Sequence, residues 1–304
     1  MTTPNPSPTP SEQSEAPQAS TADVLLIERL PAVLAAALPA DGSPGDAGSA
    51  ADAENTEVHA EALHQLCLAD GLLELLDWTH QGVGADPLAC FWLAGLRWHR
   101  LVTGGFPAAA PCPPSRSVDE QLSAQLGTVD AGRPHGLAPL SLRTGTEAPG
   151  VDGLASGEMA YPTTPAQPER DDPAVLLRVV PLALVPYVDD TLRAQWVRQA
   201  LALTHGHPRV LDRARSLVQL LHRAASAPAA ELAEQAETLR DELDELLTGA
   251  AGDAAVDAAA ADTLRRQLQA LLEAAPSSTA DDGDLPAALT ELVAAWRRVT
   301  RPAG

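Results

Sequence analysis

Apolar positions recur at three- and four-residue intervals along most of the chain, and helix punctuation bounds the runs they mark. Residues 176–209 are the clearest stretch, with two predicted helices. The first is apolar and ends near Pro186. The second begins at Asp189 or Asp190 and runs to about His205, with Leu192, Trp196, Ala200 and Leu203 on its buried face. Asp189 and Asp190 suit an N-terminus because carboxylates accept free backbone N–H groups and complement the helix dipole. Gly206 and Pro208 are expected to stop the helix, one by tolerating positive φ, the other by lacking an N–H.

The same pattern predicts a helix over 22–39, capped by Thr21 or Asp23, with Pro31 expected to kink or split it. Residues 40–55 read as a flexible loop. A helix from about Glu57 to Thr79 carries a broad apolar stripe and ends at Gly82 and Gly84. Asp86 caps the next, with Pro87 in its first turn, and this helix runs to about Val102. Residues 103–170 are loop-rich, with short helical turns expected near 117–126 and 137–142. Val210–Ala225 is a further helix. Ala229–Thr248 and Asp257–Ala274 are charge-rich, with leucines near heptad spacing, and read as a helical hairpin or a partner surface. A short helix at 285–299 closes the chain. With no strand pattern, the expected fold class is all-α.

Composition narrows this picture. The 304 residues can bury a sizeable core, but aromatics are only 3%, so that core must be mostly Leu, Ala and Val. Residues 1–20 are polar and Pro-rich and are expected to be a disordered tail. The expected division is that tail, a helical domain over 21–225 that is loop-rich at 41–56 and 103–172, and C-terminal helices over 226–304. Formal net charge is −21, and all 20 basic residues are arginine. Such a surface argues against nucleic acid and anionic membrane as partners. Cys67, Cys90 and Cys112 are too scattered for a disulfide framework or a zinc site. Neither a long apolar run nor a signal-peptide pattern is visible, so a cytoplasmic location is expected.

Several segments together resemble the ADP-ribosylglycohydrolase family, in the right order over roughly residues 58–225. They are the Ala69-Asp70-Gly71-Leu72-Leu73 helix, the helix from Asp86 to Trp98, the loop Ala155-Ser156-Gly157-Glu158-Met159, the run Arg178-Val179-Val180-Pro181-Leu182, and Leu203-Thr204-His205-Gly206-His207-Pro208. The resemblance implies removal of ADP-ribose from a conjugate at a binuclear magnesium site. Two acidic motifs would hold the metals: a DDT-type motif ahead of the Ala69-Asp70-Gly71 helix, and a GDxD-type segment nearer the C-terminus. Carboxylate oxygens suit such hard cations.

The sequence departs from that pattern. Where the family reads DDTQL, this chain has Ala62, Leu63, His64, Gln65 and Leu66. His64 has two readings, a metal ligand or, more commonly for a lone helical histidine, a solvated or hydrogen-bonded side chain. The glycine-rich approach to Arg178 is replaced by Pro168-Glu169-Arg170-Asp171-Asp172-Pro173, which removes the close backbone approach that phosphates need. The nearest C-terminal acids are Asp253 and the cluster Asp281, Asp282 and Asp284. Asp189-Asp190-Thr191 spells the metal motif, but at a position that fits a helix cap. His205 is expected at a structural helix end, donating to a neighbouring loop or carbonyl, and Arg178 at the edge of the core. No catalytic residue is assigned. Arg178, Ser156, Gly157 and His205 are the ligand-binding candidates; Asp189, Asp190, Asp281, Asp282 and Asp284 are the weaker metal candidates.

The expectation is therefore an all-α ADP-ribosylglycohydrolase-like domain without its magnesium ligands and without a cofactor. Its expected role is binding ADP-ribose, an ADP-ribosylated protein, or a protein partner through residues 229–274. Two alternatives stand beside it: an active magnesium-dependent hydrolase of ADP-ribose conjugates, and a structural helical interaction protein.

Overall fold

The computed structural model describes residues 19–39, 56–127, 140–249, 254–274 and 285–301. The predicted tail up to residue 18, the 40–55 loop, Asp253 and the Asp281–Asp284 cluster lie outside these.

The regular structure of the described residues is almost entirely helical: α1 (Thr21–Ala35), α2 (Ala60–His80), α3 (Pro87–Thr103), α4 (Ser117–Leu126), α5 (Ala148–Leu154), a 3₁₀ segment (Pro173–Val179) running into α6 (Val180–Ala183), α7 (Asp190–Ala202), α8 (Pro208–Ser226), α9 (Ala229–Thr248), α10 (Ala258–Glu273) and α11 (Ala287–Thr300). Two three-residue strands, β1 (Thr56–Val58) and β2 (Leu140–Leu142), pair in parallel. The predicted helical turn at 137–142 is thus corrected where it is described. Backbone groups of residues 140–142 find partners on β1, a partner distant in sequence that local spacing does not reveal.

Helix α2 is the centre of the molecule. Every residue from Ala60 to Leu73 is buried, and α3, α4, α6, α10, α11 and the 3₁₀ segment pack around it. A helix enclosed on all sides needs no single apolar stripe, so its polar residues must be satisfied inside. Trp98 of α3 and Trp296 of α11 are the bulkiest fully buried side chains.

Several predicted ends move. The cap of α1 is Ser20, whose hydroxyl accepts from the Asp23 N–H while Asp23 accepts from the Ser20 N–H, so Ser20 belongs to the fold rather than the tail. Helix α1 is not split at Pro31, which is buried within it. Asp86 and Asp189 cap α3 and α7 as expected, by accepting from Leu88 and Leu192 N–H at 3.0 and 2.7 Å. Leu192 itself is 37% exposed, and the neighbouring Arg193 is buried in the core instead. Its guanidinium donates to the Leu182 and Val188 carbonyls at 2.9 and 2.8 Å. The predicted apolar helix ending near Pro186 is largely 3₁₀; Asp172 caps its start by accepting from the Ala174 N–H, with Pro173 in the first turn. Helix α7 ends at Ala202. Gly206 is there for space: a Cβ would sit 2.3 Å from Pro165, and its φ is not positive.

The C-terminal leucines are spent inside the chain. Leu232, Leu239, Leu243 and Leu247 of α9 and Leu264, Leu268 and Leu271 of α10 are buried. Helix α9 packs on α8 and α10, and α10 packs in turn on α1, α8 and the 3₁₀ segment. Arginine forks close helix ends with a planar, multi-donor geometry that suits clustered carbonyls. Arg29 donates to Ala224, Ala225 and Ala227 at the end of α8, and Arg213 to the Ala254 carbonyl and to Leu246 at the end of α9.

Candidate functional site

The 3₁₀ segment lies against α2, and this contact brings Arg178 to Glu61 across 117 residues of sequence. Both side chains are buried, at 1% and 3% exposure. Arg178 Nε donates to Glu61 Oε2 at 3.0 Å and Nη2 to Oε1 at 2.7 Å, a bidentate pair. Its Nη1 donates to Thr204 Oγ1 at 2.5 Å. Thr204 Oγ1 lies 2.8 Å from His205 Nδ1. One helical turn beyond Glu61, His64 stacks on Trp98 with ring centroids 4.4 Å apart. Trp98 Nε1 donates to the Ala60 carbonyl at 2.8 Å.

Both histidines are uncharged. Burial pushes His205 down to about 3, with the nearby Arg178 and Arg170 charges adding to the effect. Burial likewise holds His64 well below the usual imidazole range, followed by Arg178 and His205. The 3.9 Å approach of His64 Nδ1 to Glu61 is therefore not an ion pair. Neither His64 Nδ1 nor His205 Nε2 has a hydrogen-bond partner. The expected donation from His205 to a loop or carbonyl is thus corrected: its near partner is the Thr204 hydroxyl, the neighbouring side chain in the same turn. Arg178 is corrected too, from the edge of the core to its interior.

Helix α5 covers this cluster. A Cβ on Gly150 would meet the Trp98 ring at 2.5 Å, and one on Gly153 would meet Thr204 Cα at 2.6 Å. Gln167 Nε2 ties α5 to the cluster by donating to both the Pro149 and Thr204 carbonyls at 2.8 Å. Ser156 and Gly157 follow α5 but go elsewhere. Ser156 is exposed and accepts from the Glu158 N–H at 3.1 Å. Gly157 has φ of 69° and lies against Ala109 and Ala110. Of the four ligand-binding candidates, Arg178 and His205 are brought together through Thr204; Ser156 and Gly157 form a separate turn.

The residues present do not fit a magnesium ion at the place the resemblance implies. Ala62 and Leu63 are buried apolar side chains, and the adjacent Glu61 is already held by a guanidinium. Asp189 and Asp190 are exposed; one caps α7 and the other lies 3.9 Å from Arg193. Among the described residues no group of three His, Cys, Asp or Glu side chains is placed to hold a metal ion. An open cleft of about 670 Å³ lies between α8 and α9, lined by Ser216, Gln219 and Glu245, away from Arg178 and His205.

The ADP-ribosylglycohydrolase family pattern matches residues 14–301. The chain belongs to the ADP-ribosylglycohydrolase family. No curated protein and no solved structure matches it. The match takes in the C-terminal helices as well as the 58–225 region of the resembling motifs. Sequence reasoning missed Glu61, although it directly precedes the departed motif. Its partner is separated by too many residues to be read from spacing. Among the described residues no helix is long and apolar enough to cross a membrane.

Proposed function

We propose that this family member does not carry out magnesium-dependent release of ADP-ribose and instead acts by binding ADP-ribose or an ADP-ribosylated protein. The observation that carries this reading is the identity of the residues at the first acidic motif. Ala62 and Leu63 offer no oxygen ligand, and Glu61 is neutralised by Arg178. Hard divalent cations need several oxygen ligands, and metal-assisted hydrolysis needs the cation. A protein partner on residues 229–274 would meet charge rather than a leucine seam. Glu231, Glu234, Glu237, Asp241 and Glu245 are exposed on α9, and its leucines are internal. That face suits a basic partner and repels nucleic acid and anionic membrane. A reducing cytoplasm fits the buried thiols of Cys67 and Cys90.

Calorimetric titration of the full chain with ADP-ribose, with and without magnesium, tests the reading, alongside an assay for ADP-ribose release. Binding that is indifferent to magnesium, without release, is the expected outcome. Magnesium-dependent release would establish the active alternative and direct attention to Asp281, Asp282 and Asp284. No binding under either condition would move the function to a protein partner.

A further inference from the structure

Each buried carboxylate among the described residues faces an arginine. Glu61, Asp70 and Asp119 are 2%, 4% and 3% exposed. Glu61 is held by Arg178, Asp70 by Arg116 with Arg97 also nearby, and Asp119 by Arg100. A buried carboxylate must be paired or it is strongly unfavourable. Here the pairing cation is part of the chain.

We infer that the Arg178 guanidinium is the resident cation of the polar core, holding the Glu61 carboxylate so that this region keeps its shape without a metal and excludes one. Three features carry this. The fork geometry satisfies both carboxylate oxygens at 3.0 and 2.7 Å, leaving no charge for a second cation to balance. The third guanidinium nitrogen, Nη1, donates to Thr204, so the same side chain links α2, the 3₁₀ segment and the turn before α8. The imidazole nitrogens nearby are on His64, whose Nδ1 lies 3.9 Å from the paired Glu61, and on His205, which meets Arg178 through Thr204; the guanidinium's positive charge opposes entry of a divalent ion there. The inference deepens the reading above and rests on it for the absence of metal chemistry, while the pairing geometry stands independently.

The test is the thermal midpoint of the full chain in chelator, in magnesium and in manganese, for the native sequence, Glu61→Gln, Arg178→Ala and the double variant Glu61→Leu/Arg178→Met. The native midpoint should be the same in all three solutions. Each single variant should lose roughly 10 °C, because one buried charge is left unpaired, and the apolar double variant should recover most of that loss. Direct manganese titration of the native chain keeps the test open should a single variant fail to fold, with absence of binding expected. A metal-induced rise in the native chain that Glu61→Gln abolishes would overturn the inference, as would a double variant no better than the singles. A metal-induced rise that survives Glu61→Gln but vanishes on replacing Asp281, Asp282 and Asp284 by Asn would support the closed core and instead overturn the metal-free reading of function.

Discussion

The polar core around Arg178 and the leucine seam of α9 and α10 solve the same problem by opposite means. Both hold separate helical segments together. The first does so with a buried charge pair whose desolvation is offset only while both partners are present. The second does so with Leu232, Leu239, Leu243 and Leu247 against α8 and α10, where each side chain contributes by area and no partner is unique. The seam should therefore weaken by degrees under substitution. The polar core should fail sharply when one partner is removed and recover when both are.

The largest expected effect lies in the polar core: Arg178→Ala should cost about 3–5 kcal/mol in urea unfolding. Leu243→Ala, in the seam, should cost about 2–4 kcal/mol by removing buried methyl groups and leaving a cavity. The sharper contrast is in repair: pairing Leu243→Ala with an enlarged neighbour should restore little, whereas removing both charges in the core should restore much. Equal repair in the two regions would break the comparison.

Acid separates the regions next. His64 and His205 are neutral in the folded chain and return to the ordinary value of about 6.5 when it unfolds. Below that pH the unfolded state binds protons that the folded state refuses. Stability is unaffected by them above pH ~6.5 and declines as pH falls below it, by about 1.4 kcal/mol per pH unit for each histidine, in the case of His205 down to about pH 3. Unfolding midpoints measured across this range should show the slope, and it should flatten in the His64→Gln/His205→Gln double variant. An unchanged slope in that variant would place the acid sensitivity elsewhere.

The smallest effect concerns Asp189. As a helix cap, Asp189→Ala should cost about 1 kcal/mol, with no change in the midpoint's response to magnesium. A magnesium-dependent difference between the two proteins would return Asp189 to the metal candidates.

The candidate site was only partly legible. Arg178 and His205 could be picked out because they sit in recognisable segments, Arg178-Val179-Val180-Pro181 and Leu203-Thr204-His205-Gly206. That they meet through Thr204 could not, since the link depends on how the 3₁₀ segment lies against the turn after α7. Glu61 left no local signal beyond being a carboxylate in the first turn of a helix. Ser156 and Gly157 were read with Arg178 because they belong to the same resemblance, yet Gly157 packs against the loop after α3 and Ser156 is exposed. Helix α5 was missed because its glycines and proline read as loop; those glycines are required where it presses on Trp98 and Thr204.

What the sequence determined alone is what local physics carries. The apolar period placed most of the helices, the carboxylates at Asp86 and Asp189 placed two of their starts, and the replaced motif at Ala62 and Leu63 removed two oxygen ligands. Tertiary structure alone decided which charges are buried and against what. A guanidinium in a sequence can be solvated, can cap a helix or can pair; only the packing of the 3₁₀ segment on α2, which strips water from both groups, makes Arg178 the partner that Glu61 cannot do without.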